Sequence, residues 1–142
     1  MNTAAGDRGE TLIELLVSIT IMAVAVPAIL GSVLAGVMMS DIHRKQVTAS
    51  AAVRDYAEWL ESYVAAGHYN TAGDYTAAAS TGFAAPSGYT ASAPVVTCWI
   101  PGAGKNNFGS CAADSGIQQV TLSVASGDQR ASEKLTVVIR KP

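Results

Sequence analysis

The strongest constraint on this chain is a stretch that contains no charge. From Leu15 to Ser40 there is no Asp, Glu, Lys, Arg or His, and most positions are Leu, Ile, Val, Met or Ala. An apolar run of about 18 or more residues reads as a membrane-spanning helix. At roughly 1.5 Å per residue this one reaches about 39 Å, enough for a hydrocarbon core of roughly 30 Å. One carboxylate, Glu14, stands at its start behind Leu12 and Ile13. An ionised group in hydrocarbon costs roughly 2.5–3.5 kcal/mol on insertion scales. A charge kept there needs a partner or a route to the interface.

The rest of the 142 residues must fold with what remains. About 100 residues lie beyond the apolar run, which suits one small domain with a thin core. The middle of the chain is rich in Ala, Gly, Ser and Thr. A formal net charge of −2 advertises neither a nucleic-acid surface nor an anionic-lipid surface. Two cysteines, Cys98 and Cys111, lie far from the apolar run. In a loop-rich region they suggest one disulfide and an oxidising, extracytoplasmic location, with a pair of free thiols as the alternative.

Met1 to Gly9 is short and polar and carries Asp7 and Arg8. The apolar run behind it is longer than a secretory h-region and ends in no small-residue cleavage site, so removal by signal peptidase is not expected.

The residues Gly9-Glu10-Thr11-Leu12-Ile13-Glu14-Leu15-Leu16-Val17 closely resemble the N-terminal motif of type IV prepilins and of the pseudopilins of type II secretion. The family pattern is Gly, usually Phe, then Thr-Leu-Ile-Glu-Leu-Leu-Val, and only Glu10 departs from it. The likeness covers the first third of the chain. It implies cleavage between Gly9 and Glu10 by a membrane-embedded prepilin peptidase, and N-methylation of the new terminus at Glu10. A glycine before the cut, lacking Cβ, lets an extended backbone enter a narrow active site. It also implies that Glu14, the assembly residue, pairs in a filament with the N-terminal ammonium of a neighbouring subunit. The charge is then tolerable because assembly neutralises it. The alternative is that Glu14 snorkels to the interface. Glu10 in place of Phe suits the positive end of the helix dipole but competes with Glu14 for the ammonium. That departure points to a minor pilin or pseudopilin rather than a major subunit.

The implied partners are prepilin peptidase, other pilin or pseudopilin subunits, the pilus or secretion assembly machinery, and lipid before assembly. The implied location is the cytoplasmic (inner) membrane, single-pass, with the C-terminal domain extracytoplasmic. After assembly it is a cell-surface or periplasmic filament. Arg8 before the span against Arg44 and Lys45 after it runs against the positive-inside count. The motif overrules that count. A different class of reading is a permanent single-span protein that presents a small binding domain outside the cell.

Pro27 cannot donate to the Ala23 carbonyl, so a helix break or kink is expected there. The resemblance implies local unwinding on assembly, and an ordinary membrane-helix kink is the alternative. Ser32, Gly36 and Ser40 recur every four residues, a stripe small enough for close helix packing.

Past Ser40 the helix is expected to continue. Ala49, Val53, Tyr56, Ala57, Leu60 and Val64 follow helical spacing, Trp59 and Tyr63 flank them, and Gly67 is a plausible stop. Asp41 and Lys45 are spaced for an i,i+4 pair. Residues 67–94 lack periodicity and read as a connecting loop. Strands are expected over Val95 to Ile100, Ile117 to Ala125 and Lys134 to Arg140, in an antiparallel meander. Val96, Cys98 and Ile100 share one side; Val120, Leu122, Val124, Leu135, Val137 and Ile139 point inward.

The expected fold is therefore α+β and pilin-like, a long N-terminal helix packed on a small antiparallel sheet. Its segments are 1–9 leader, 10–40 membrane or filament-core helix, 41–66 amphipathic helix, 67–94 loop and 95–142 sheet with a disulfide loop. No phosphate loop, metal-ligand spacing or nucleophilic constellation is present, so no enzyme, no cofactor and no metal is expected. The scattered basic residues Lys105, Arg130, Lys134, Arg140 and Lys141 fit a solvated sheet edge better than a DNA track.

Overall fold

One helix, α1, runs from Asp7 to Ala65, 59 residues. The computed structural model describes residues 7–102 and 107–142, with side chains from Leu12 onward apart from Ala113. Most of the leader and Lys105 lie outside the described residues. The chain divides into two units at Asp41 and Ile42, and each is built by different physics.

In the first unit the helix is apolar all round. Every large apolar side chain from Leu12 to Met39 is more than half exposed. Such a helix has no face to turn toward water and needs lipid or other helices around it. Its length and composition suffice to cross a membrane. Thr20 and Ser32 donate their hydroxyls to the carbonyls of Val17 and Ile29, each at 2.8 Å, so neither enters an apolar surrounding unsatisfied.

In the second unit the same helix becomes amphipathic. Ala49, Ala52, Val53, Tyr56, Ala57, Leu60 and Val64 are buried along one stripe. All but Ala49 pack in one cluster with Val120, Leu122, Val124 and Ile139 of the sheet and with Tyr75 and Ala79. The helix ends as the sequence suggests. Gly67 sits at φ 92°, and its N–H donates to the Val64 carbonyl at 3.0 Å. A left-handed residue past the last turn is a position glycine fills without Cβ strain.

The sheet has five antiparallel strands: β1 (Tyr89–Ala91), β2 (Val95–Trp99), β3 (Phe108–Gly109), β4 (Ile117–Ser126) and β5 (Ser132–Arg140). β4 is central. Its residues alternate between half-buried and buried without a fault, the two-residue period of a sheet with one face on a core. β5 follows β4 along its whole length, from Ile117 opposite Arg140 to Ala125 opposite Ser132. The other edge of β4 is shared. β2 takes the first half (Val95 opposite Thr121) and β1 the last residues (Ala91 opposite Val124). Between them the chain steps out at Ala93 and at Pro94, which has no N–H for a ladder. β3 extends β2 outward, and a single 3-10 turn, Cys111–Ala113, follows it.

Four expectations need correction. Residues 67–94 are not merely a loop, because helix α2 (Thr76–Gly82) and strand β1 lie within them. Both are short, and α2 is built from Thr, Ala, Ser and Gly, which leave no apolar periodicity to read. The meander of three strands exists, but β1 and β3 widen it. The strand expected to run to Ile100 stops one residue earlier: β2 ends at Trp99, and Ile100 is 37% exposed, lying against Gly109. Finally, Pro27 does not end the helix, which is unbroken on both sides of it. A proline removes one main-chain bond, and a single missing bond inside so long a helix does not interrupt it.

Candidate processing and assembly segment

The backbone at Gly9 and Glu10 belongs to the first turn of α1. A protease that takes an extended strand would have to unwind that turn. The first four N–H groups of any helix lack intrahelical partners, so this turn is the least costly to open. The Glu10 side chain lies outside the described ones.

Glu14 sits one turn further on, and its side chain is exposed. Among the described residues it has no hydrogen-bond or ion-pair partner. Its neighbours Leu12, Ile13, Leu15 and Leu16 are each more than half exposed. A carboxylate thus stands at the start of an apolar helix surface that is bare among the described residues. Gly31 and Gly36 have open space where a Cβ would stand. Among the described residues nothing requires them to be small.

The second unit ties its irregular segment down at three places. Cys98 and Cys111 form a disulfide, with Cα atoms 4.8 Å apart. Cys98 is fully buried. Gly73, at φ 71°, packs directly on it: an added Cβ would lie 2.9 Å from Cys111 Sγ and 3.0 Å from Val96. The third anchor is polar. Tyr75 donates its hydroxyl to Gln118 Oε1 at 3.0 Å, and Gln118 Nε2 donates to the Asn70 carbonyl at 2.7 Å. The Asn70 N–H in turn donates to Tyr75 Oη at 3.2 Å. Nearby, Tyr69 donates to Asp114 at 3.1 Å. Burial pushes the Tyr69 phenol well above its ordinary range, and the bond to the Asp114 carboxylate adds to this. The hydroxyl therefore stays protonated and remains a donor. Burial likewise raises the Tyr75 phenol.

Helix and sheet are also pinned by charge. Lys45, spaced for Asp41, reaches Asp128 in the turn between β4 and β5. Sequence reasoning missed this pair and the Gln118 network. Gln118 carried a usable signal, since strand parity puts it on the same face as Val120. The Lys45–Asp128 pair carried none.

Residues 5–26 match the family model of the prokaryotic N-terminal methylation motif. The match spans only the start of the chain, and it supports a type IV pilin-like prepilin family. No curated protein and no solved structure matches the chain. The prepilin motif covers the start of α1, including Gly9, Glu10 and Glu14. It marks a substrate type for prepilin peptidase and implies assembly with other pilin subunits. The exposed apolar helix fits anchoring in the inner membrane.

Proposed function

We propose that this chain is a structural subunit, of minor-pilin or pseudopilin rank, in a filament of the type IV pilus or type II secretion kind. The observation that carries the reading is the methylation motif at residues 5–26, placed at the start of a helix whose apolar surface is bare. The subunit waits in the membrane with its second unit outside the cytoplasm. Prepilin peptidase cuts between Gly9 and Glu10 and methylates the new amine.

Assembly then exchanges lipid contacts for helix–helix contacts. Glu14 and a neighbour's terminal ammonium meet as the helices pack, so two groups that are costly alone in an apolar core are satisfied together. The stripe Ser32, Gly36, Ser40 lets the packed helices approach closely. At Pro27, where one main-chain bond is already missing, the helix is easiest to loosen during packing. Glu10 offers a second carboxylate near the same ammonium, which favours a low-copy position over the repeating body of the fibre.

The test is the mature N-terminus. The chain is co-expressed with a prepilin peptidase and its intact mass is measured. The expected product begins at Glu10 with a methylated amine, and a bulky residue in place of Gly9 should leave the precursor uncut. An identical mass pattern for both chains sinks the reading and leaves the permanent single-span protein.

A further inference from the structure

β5 stands at the edge of the sheet and pairs with β4 alone. Two main-chain bonds fix the phase of that ladder. Lys141 donates its N–H to the Gly116 carbonyl, and Ser126 donates its N–H to the Ala131 carbonyl, each at 2.8 Å. In an antiparallel pair every second residue bonds the neighbouring strand. Glu133, Leu135, Val137 and Ile139 therefore turn their main chain toward β4. Ser132, Lys134, Thr136, Val138 and Arg140 turn theirs outward, to an edge that no main-chain group among the described residues bonds. An open row of this kind is a template for another strand. It holds no proline, and its pairing with β4 runs from Arg140 to Ser132 without a bulge.

The two sides of this edge differ. On the solvent side Lys134, Thr136, Val138 and Arg140 are exposed, and neither Lys134 nor Arg140 has an ion-pair partner among the described residues. On the other side Leu135 and Val137 are only partly buried against the core. Beside Ile139 a groove of about 350 Å³ opens, lined by Glu61, Val64 and Ala65 of α1 and by Pro142. An added strand would cover this edge best with apolar side chains on its core side and acidic ones on its solvent side. A second copy of β5 fits poorly. Two-fold pairing centred on Val137 sets Lys134 opposite Arg140, and centring it on Thr136 or Leu135 sets Glu133 opposite Ile139 or Val137.

We propose that the β5 edge accepts an added antiparallel strand from a different polypeptide, acidic at two positions spaced as Lys134 and Arg140 are, with apolar residues alternating between them. Opposite Arg140 the partner carries a carboxylate. Opposite Ile139 it carries an apolar side chain that enters the groove beside Val64. Further apolar residues lie opposite Val137 and Leu135, β-branched ones opposite Val138 and Thr136, and the second carboxylate opposite Lys134. The main-chain ladder supplies the affinity, and the alternating side chains supply the selection. The same two cations that deter a second copy thus choose an acidic partner. The inference concerns the second unit alone and does not depend on filament membership.

The probe is a labelled peptide, Glu-Val-Thr-Val-Thr-Val-Glu, N-methylated at its valines so that it cannot stack on itself. The valine N–H groups would point away from β5, so their methylation leaves the ladder intact. The full chain is reconstituted in lipid nanodiscs, and fluorescence anisotropy reads binding. The expected result is saturable binding in the micromolar range. Moving the methyl groups to the threonines should weaken it about tenfold, the loss of two main-chain hydrogen bonds. Thr136→Pro removes one outward N–H without touching the β4 ladder and should weaken binding likewise. Lys134→Glu with Arg140→Glu should reverse the preference, from this peptide to its counterpart with lysine at both ends, with the unfolding midpoint unchanged. Three results overturn the proposal: no saturable binding of the valine-methylated peptide, equal binding of the threonine-methylated one, or a preference that survives charge reversal. Concentration-dependent pairing of two chains that Thr136→Pro abolishes would overturn it in favour of a second copy.

Discussion

The Lys45 ammonium nitrogen lies 2.6 Å from a carboxylate oxygen of Asp128, joining residues 83 positions apart. The Ser126 hydroxyl donates to the other carboxylate oxygen at 2.7 Å, and the Arg130 N–H reaches the same atom at 3.3 Å. The bond from Lys45, then that from Ser126, hold the Asp128 carboxyl well below the usual carboxylate range. A carboxyl depressed in the folded state adds stability above its unfolded value, near pH 4, and loses it as pH falls further. Asp128→Asn should therefore lower the thermal midpoint of the second unit at neutral pH. The difference from the unaltered chain should close in acid. A gap that stays constant down to about pH 2 would show that the carboxylate has no such role. The pair is partly exposed, so the effect is modest and shrinks with salt.

Gln118 is fully buried, yet it is bonded at both ends of its amide. Gln118→Leu leaves the Tyr75 hydroxyl without its acceptor and the Asn70 carbonyl with the Gly73 N–H as its remaining donor. The expected loss is about 1–3 kcal/mol, from an orphaned buried polar group. Adding Tyr75→Phe removes the stranded hydroxyl, so the double change should cost less than the sum of the two single ones. Chemical denaturation of all four chains measures this. Strict additivity would mean that the two side chains do not act together.

Gly73 combines two reasons to be glycine. Its φ of 71° is strained for other residues, and a Cβ would press on Cys111 Sγ and Val96. Gly73→Ala should cost about 1–3 kcal/mol. The disulfide closes a loop of similar size to those that contribute about 3 kcal/mol. If the clash with the sulfur dominates, the penalty for Gly73→Ala should fall when Cys98 and Cys111 are both Ser. If the backbone strain dominates, the penalty should be unchanged. Denaturation midpoints of the four combinations separate the two causes.

What was readable in the sequence follows from the strength of each periodic signal. Val120, Leu122 and Val124 alternate without interruption over a long strand, and they are the centre of the core. The helical stripe from Ala49 to Val64 is equally regular, and it is buried as expected. α2 left no such trace, because Ala and Ser leave no apolar stripe and its position depends on the ring of Trp59, 2.5 Å from where a Gly82 Cβ would stand. β1 is too short for alternation to register. Lys45 and Asp128 are brought together only by the whole fold of the second unit. The assembly segment is the reverse case. Its motif was legible residue by residue, but the partner proposed for Glu14 is another subunit's terminal ammonium, which a single chain does not display.

Glu14 gives the sharpest test of that proposed partner. Its carboxylate lies in an apolar surface with no bond among the described residues. If its role is to neutralise a neighbour's amine, the peptidase does not need it. Glu14→Ala should then be inserted and cut as efficiently as the unaltered chain, as read by intact mass of the membrane fraction. Incorporation is a different matter. Without the carboxylate, each new ammonium enters the helix bundle unpaired, and an uncompensated buried charge costs several kcal/mol. The amount of the chain recovered in sheared filaments should drop more than about tenfold. Reduced cutting with normal incorporation of whatever is cut would instead place Glu14 in peptidase recognition. Normal behaviour in both assays would return it to a residue that simply snorkels to the membrane surface.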